Sequence, residues 1–185
     1  MIDNALKVIV NELNNFIRIK FLLAEDIVVL SNLINNSTGE QMFTNENKIL
    51  VSLINIEEEK KIQKANGNKK NAPIYLNLYI LISTSFNEKL KIESLRFLSS
   101  VISFFQSKRT FTNNNTPTLD SNIEKLQVDI NNLNYNELSN IYSYTGGKYT
   151  PSISYKLSML VIEEEMISYK LPEITGRDTD SDIKK

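Results

Sequence analysis

Apolar and polar positions change period several times along this chain, and each change marks an element. Ile2, Leu6, Ile9, Val10, Leu13, Phe16 and Ile17 recur on one helical face, with Asp3, Lys7, Asn11, Asn14 and Arg18 on the other. The N-terminus is therefore predicted as an amphipathic helix packed from its first turn. Residues 27–34 (IVVLSNLI) are a short run rich in branched side chains, closed by the turn cluster 35–40, and read as a first strand. Residues 48–56 are apolar on both faces, as a central strand would be, and 57–61 lead back into water. The segment 60–72 is polar, mostly basic and contains Gly67, which predicts an exposed loop or hairpin tip.

The unit 73–111 organises the rest. Ile74, Leu76, Leu78, Ile80 and Ile82 alternate with Tyr75, Asn77, Tyr79, Leu81 and Ser83, the period of two of a strand with one deeply buried face. Pro73 can only open such a strand, because it has no N–H for the ladder. Ser85 and Glu88 have capping-box spacing, and Leu90, Ser94, Phe97, Leu98, Val101 and Phe105 then recur at helical spacing. Lys108 and Arg109 at the far end suit the negative end of the helix dipole.

Residues 106–121, with an Asn run and Pro117, read as a long connection available to a partner. In 123–130, Leu126, Val128 and Ile130 face in while Lys125, Gln127 and Asp129 face out. Asn134 and Glu137 form a second capping signature, opening a short helix with Leu138, Ile141 and Tyr142 inside; Thr145, Gly146 and Gly147 stop it. Ile153, Tyr155, Leu157, Met159 and Val161 form a last long strand, which 163–165 (three Glu) would bring to an edge. The fold class is α/β in the α+β sense. One domain, 1–171, carries a mixed, mainly antiparallel sheet with helices mainly on one face, in the order helix, three strands, helix, strand, helix, strand. Residues 172–185 lack the apolar content to fold alone.

Composition narrows the chemistry. The 185 residues are 41% hydrophobic and 23% charged, a globular composition, and a net charge of -1 supplies no field to draw in nucleic acid or an anionic membrane. His and Cys both stand at 0, so the commonest general base, the commonest zinc ligand and the thiolate nucleophile are missing. Polar residues interrupt any signal-peptide core in the first twenty positions, and no apolar run reaches the roughly 20 residues of a membrane span. The expectation is cytoplasmic synthesis and assembly, with no cofactor, no metal, no nucleic acid and no membrane insertion.

Several phrases are familiar as a set: MIDNALKVIVNELN, NKILVSLINIEEE, PIYLNLYILISTSF, LRFLSSVISFFQSKRTFT, NTPTLD and NNLNYNELSNIYSYTGGKYTPSISYK. Together they resemble the cap, or tail-terminator, proteins of extracellular contractile injection systems, up to about residue 172. The resemblance implies a phage tail-terminator fold and a structural role without catalysis. It implies a homo-hexameric ring that ends the inner tube and anchors the sheath at the baseplate-distal end, with tube protein, sheath protein and a second cap protein as partners. It also implies a final location in an injection particle, released or membrane-anchored. The alternatives are a monomeric assembly chaperone or cap adaptor for tube subunits and, last, an enzyme using carboxylates, Ser or Lys.

Candidate partner-contacting residues follow from that role: Lys69, Lys70, Lys108 and Arg109 as cations against an acidic ring surface, Phe111 as an anchor in a polar loop, and the turn Gly146, Gly147, Lys148 and Tyr149. Gly146-Gly147-Lys148 follows a helix and precedes a strand, so it is a helix stop and not a phosphate loop. The Glu runs 57–59 and 163–165 read as solvated strand ends, since like charges repel without a cation.

Overall fold

A computed structural model describes residues 1–35, 37–40, 42, 46–59 and 74–161. Its frame is a six-stranded sheet in the order β1-β2-β3-β6-β5-β4. The strands are β1 (Val28–Leu30), β2 (Lys48–Glu58), β3 (Ile74–Ser85), β4 (Thr110–Phe111), β5 (Ile123–Asn131) and β6 (Ser152–Val161), with helices α1 (Ile2–Phe21), α2 (Lys91–Ser107) and α3 (Tyr135–Thr145). β1 runs parallel to β2, and every other pairing is antiparallel. The expected element order is recovered with two short additions, a 3-10 turn before α2 and the two-residue β4.

α1 forms because its apolar stripe is continuous. Ile9, Leu13 and Ile17 are wholly buried, each contributing roughly 1.5–3 kcal/mol relative to exposure. It lies beside α2, with Phe16 against Phe104 at 5.3 Å and Phe21 against Phe97 at 4.5 Å. Both helices cover one face of the sheet, where Ile49, Val51, Leu78, Ile80, Ile82, Val128, Tyr155 and Leu157 complete the main core. α3 packs on the other face: Tyr142 meets Leu81 and Leu33, with Ile54, Leu138 and Ile141 around them.

Asn14, expected on the polar side of α1, is buried, and its amide serves as a substitute strand. Its Nδ2 donates to the Val28 carbonyl and its Oδ1 accepts from the Val28 N–H, both at 2.8 Å. The outer edge of the three-residue β1 is thereby satisfied at Val28 by a side chain. Asn4 clamps the far loop in the same way, donating to Thr118 O at 3.1 Å and accepting from Asp120 N at 2.8 Å.

Several expectations are corrected. Ser85 does not cap the helix: it ends β3, its hydroxyl donates to Met42 O, and Asn87 caps the short 3-10 turn Glu88–Leu90 that leads into α2. The capping box at Asn134 and Glu137 is present in full. The last turn of α2 holds no cation; Lys108 is its C-cap residue, and its ammonium reaches Glu12 at 2.7 Å. The connection after α2 is ordered by β4 and by Asn115, which donates to Thr110 O and accepts from Thr112 N. β6 is interior, between β3 and β5: all ten of its residues pair with β3, and those from Ser154 to Val161 pair with β5 as well. β2 extends to Glu58, and Ile130, expected inside, is half exposed. The expected loop 60–72 and tail 172–185 lie outside the described residues.

Candidate functional site

The residues singled out in the sequence fall into two groups that the sheet separates. Gly146 takes the left-handed conformation (φ 69°) that ends α3, a region open to glycine at little cost. Gly147 lies close under the segment after β1, where a Cβ would come within 3.4 Å of Leu33 Cβ. Lys148 and Tyr149 are exposed beyond it, the Tyr149 ring edge-on to Tyr142 at 5.5 Å. The Tyr142 hydroxyl donates to Thr150 O at 2.8 Å, fixing the turn to the start of β6. These four residues form one patch with α3.

Lys108, Arg109 and Phe111 sit elsewhere, at the end of α2. Phe111 is wholly buried, its ring 6.4 Å from that of Phe104, with the Lys108 ammonium 4.9 Å from its centroid. Its expected role as a projecting anchor is therefore corrected: β4 turns the side chain into the core. Lys108 is likewise spent within the chain, on Glu12, with both side chains only about a quarter exposed. Arg109 remains exposed and lines a hollow of about 210 Å³ with Ile102, Gln106, Asp129 and Ile130. Lys69 and Lys70 lie outside the described residues.

Several surface features had no counterpart among the predicted residues. A groove of about 820 Å³ runs between α3 and the β1–β2 edge, lined by Leu33, Ile34, Leu53, Ile54, Ile141 and Tyr144 together with uncharged polar residues. Tyr135 and Tyr144 stand almost fully exposed on α3. On the opposite face α1 ends at Leu22, whose φ of 52° is left-handed, with the N–H of Leu22 returning to Arg18 O. A β-carbon in that region costs roughly 1–2 kcal/mol. Leu22, Ile19 and Ile92 are exposed there. The available signal was their position: each is a large apolar residue outside the buried stripe of its helix.

Two phenols are shifted by their surroundings. Glu57 accepts from Tyr79 at 2.9 Å, and that bond, reinforced by partial burial, pushes the Tyr79 phenol up. Burial pushes the Tyr155 phenol up to about 12. Among the described residues no group of three or more Asp or Glu could hold a metal ion, and no helix is long and apolar enough to cross a membrane. Carboxylates at strand ends, two tyrosine-rimmed sides of α3 and an uncharged groove supply recognition chemistry, since exposed Tyr is favoured at protein contacts.

The model of the family described as "Pvc16 N-terminal domain" matches residues 2–175. Among solved structures, the sheath/tube terminator of an extracellular contractile injection system, PVC, in its extended state superposes with a TM-score of 0.60 at 14% identity, covering 100% of this chain and 64% of that one. The tube-terminating cap of the anti-feeding prophage superposes with a TM-score of 0.53 at 14% identity, covering 94% of this chain and 59% of the other. The chain thus spans less than two thirds of either structure. No curated protein matches it.

Proposed function

Because the chain belongs to the Pvc16 N-terminal domain family, we propose that it is a structural cap of a contractile injection system, a non-catalytic protein that closes the end of the inner tube. It assembles as a homo-hexameric ring on the last ring of tube protein, at the end remote from the baseplate. Its periphery holds the last ring of sheath protein. A closed ring has no open docking surface of the kind that propagates a polymer, which is how it stops growth. Folding and assembly take place in the cytoplasm, and the finished protein travels as part of the particle. Lys148, Tyr149 and Arg109 are the exposed members of the predicted contact set and remain candidates for tube or sheath contact, with Lys69 and Lys70.

The observation that carries the reading is the superposition of this entire chain on the sheath/tube terminator. The uncharged groove and exposed tyrosines add to it, since they suit protein contacts better than small-molecule chemistry. The test is mass photometry of the purified chain with and without its matching tube protein, followed by electron microscopy of assembled tubes. A sixfold mass, alone or on addition of tube, and shorter, blunt-ended tubes are expected. A persistent monomer that binds single tube subunits would replace the cap by an assembly chaperone.

A further inference from the structure

The helical layer leaves one end of the core open. Tyr155 pairs with Ile130 across β6 and β5, so the two side chains share the core face, yet Ile130 is half exposed while Tyr155 is buried to 1%. Between them and the last turns of α2 lies the hollow of about 210 Å³, walled by Ile102, Phe105 and Val128, with Gln106 and Arg109 also lining it. All of its lining belongs to the described residues.

That lining carries donors that no other described residue takes up. Tyr155 packs its ring on Phe105 at 4.6 Å, but its hydroxyl is buried with no hydrogen-bond partner among the described residues. Such a hydroxyl costs folding free energy that phenylalanine would not. Burial also pushes the phenol up to about 12, so at neutral pH it keeps the proton it would donate. The Arg109 backbone is fixed, its carbonyl accepting from the Val128 N–H at 2.8 Å. Its guanidinium enters none of the ion pairs found among the described residues, whereas Lys108 beside it is held by Glu12. Gln106, exposed on the last turn of α2, brings an amide. Asp129 contributes to the wall, but strand alternation sets its carboxylate on the opposite face of the sheet, where it accepts from Gln127 Nε2 at 3.1 Å. On the core side Arg109 is therefore the one charge among the lining residues.

These features select an occupant by elimination. A cation would be repelled by Arg109. An apolar group would leave the Tyr155 hydroxyl unpaired, whereas a carboxylate accepts from guanidinium, phenol and amide together. The volume falls below the roughly 300–1,000 Å³ of sites that enclose whole small molecules, which fits a single side chain. We propose that the hollow at the end of α2 receives the carboxylate of one acidic side chain, aspartate or glutamate, from a protein partner. Arg109 and Tyr155 bind its oxygens, Ile102 and Ile130 cover its methylenes, and Gln106 and Arg109 give way at the mouth to admit it to the buried hydroxyl. This deepens the cap reading above and rests on it only for the partner's identity, the tube or the sheath protein.

The experiment uses the full chain and two variants, Arg109→Gln and Tyr155→Phe, with two kinds of probe. The first probe is N-acetylglutamate α-amide, titrated while the Arg109 Nε–H and the Tyr155 ring are followed by NMR, with its glutamine counterpart as control. The acid is expected to shift both signals saturably and the control neither. Each variant should weaken binding of the acid roughly tenfold or more, the worth of one charge-assisted hydrogen bond. The second probes are the matching tube and sheath proteins, measured separately by biolayer interferometry. Binding of one of them is expected to weaken by a similar factor in both variants, and that protein supplies the side chain. Tyr155→Phe should meanwhile melt no lower than wild type, which separates binding from folding.

No response to the acid, or an equal response to the glutamine control, overturns the carboxylate site and leaves the cap reading standing. Variants that lose the small acid but hold tube and sheath like wild type overturn the protein-partner assignment. A wild type that binds neither tube nor sheath overturns the cap reading and that assignment together, while the titration with the small acid still decides the hollow's chemistry.

Discussion

Replacing Asn14 by Leu should destabilise the chain, although hydropathy alone ranks leucine as the better residue for a position 4% exposed. Among the described residues the asparagine amide is the partner of both backbone groups of Val28 that point away from β2, at 2.8 Å each. Val28 itself is buried, so water does not readily replace the lost bonds. Leaving a buried donor or acceptor unmade costs about 1–3 kcal/mol each. With partial relaxation of a three-residue edge strand, about 3 kcal/mol is the expected sum, and leucine recovers little by burying methyls where the cavity is shaped for a planar amide. In a chain of this size that lowers Tm by roughly 6–12 °C. Asn14→Asp should be worse at neutral pH, since a buried carboxylate faces the Val28 carbonyl, and should partly recover in acid as it gains a proton to donate. The assay is urea unfolding of wild type and both variants, comparing midpoints at constant slope. An Asn14→Leu midpoint equal to or above wild type would refute the clamp argument, as would an unchanged exchange rate of the Val28 amide.

Three further outcomes are expected. Tyr155 carries a buried hydroxyl with no hydrogen-bond partner among the described residues, so Tyr155→Phe should be neutral or stabilising by about 1 kcal/mol, read as a higher Tm. Its phenol, at about 12, lies above the value of roughly 10 in the unfolded chain. That stability is therefore complete below the unfolded value and is lost as pH rises from there toward the folded one; loss of the alkaline destabilisation in Tyr155→Phe is the check, and a wild-type profile flat across that window would contradict it. Phe111→Ala should cost about 3–5 kcal/mol by denaturant titration; a stable variant that merely fails to bind a partner would restore the discarded anchor role. Gly146→Ala should cost about 1 kcal/mol, and Gly146→Asn less, measured as midpoint shifts; equal stability of alanine and glycine would mean the turn relaxes out of the left-handed region.

The elements were legible wherever local periodicity agreed with burial. β3 was legible as a strand, with Leu78, Ile80 and Ile82 buried on the core face, but Asn77, Leu81 and Ser83 on the other face are buried as well, where α3 packs on the sheet. The capping box of α3 was readable because all its partners lie within four residues. Asn14 was not readable as core, because the reason for its burial is a backbone group fourteen residues away. Phe111 misled for a related reason: its neighbours are polar, but β4 pairs it opposite Leu126 and turns its ring inward. β6 looked like an edge strand from its flanking charges, whereas strand order depends on pairings across dozens of residues that no local pattern records. Of the surfaces, the turn 146–149 came through as a glycine signal, and the groove did not, since three separate segments build it.

The position of β6 sets when this protein can exist at all. Among the described residues β3 and β5 are not paired with each other; each is joined to the sheet's other half through β6, the last of the described strands to be synthesised. Until residue 161 has emerged, the growing chain holds two unjoined strand groups with an open edge on each, and non-local pairing of this kind closes slowly. An interrupted translation product therefore cannot present the finished surface, and a stub could not occupy a place in an assembly that requires it. Topology here makes closure of the sheet wait for β6, whatever its other strands have already formed.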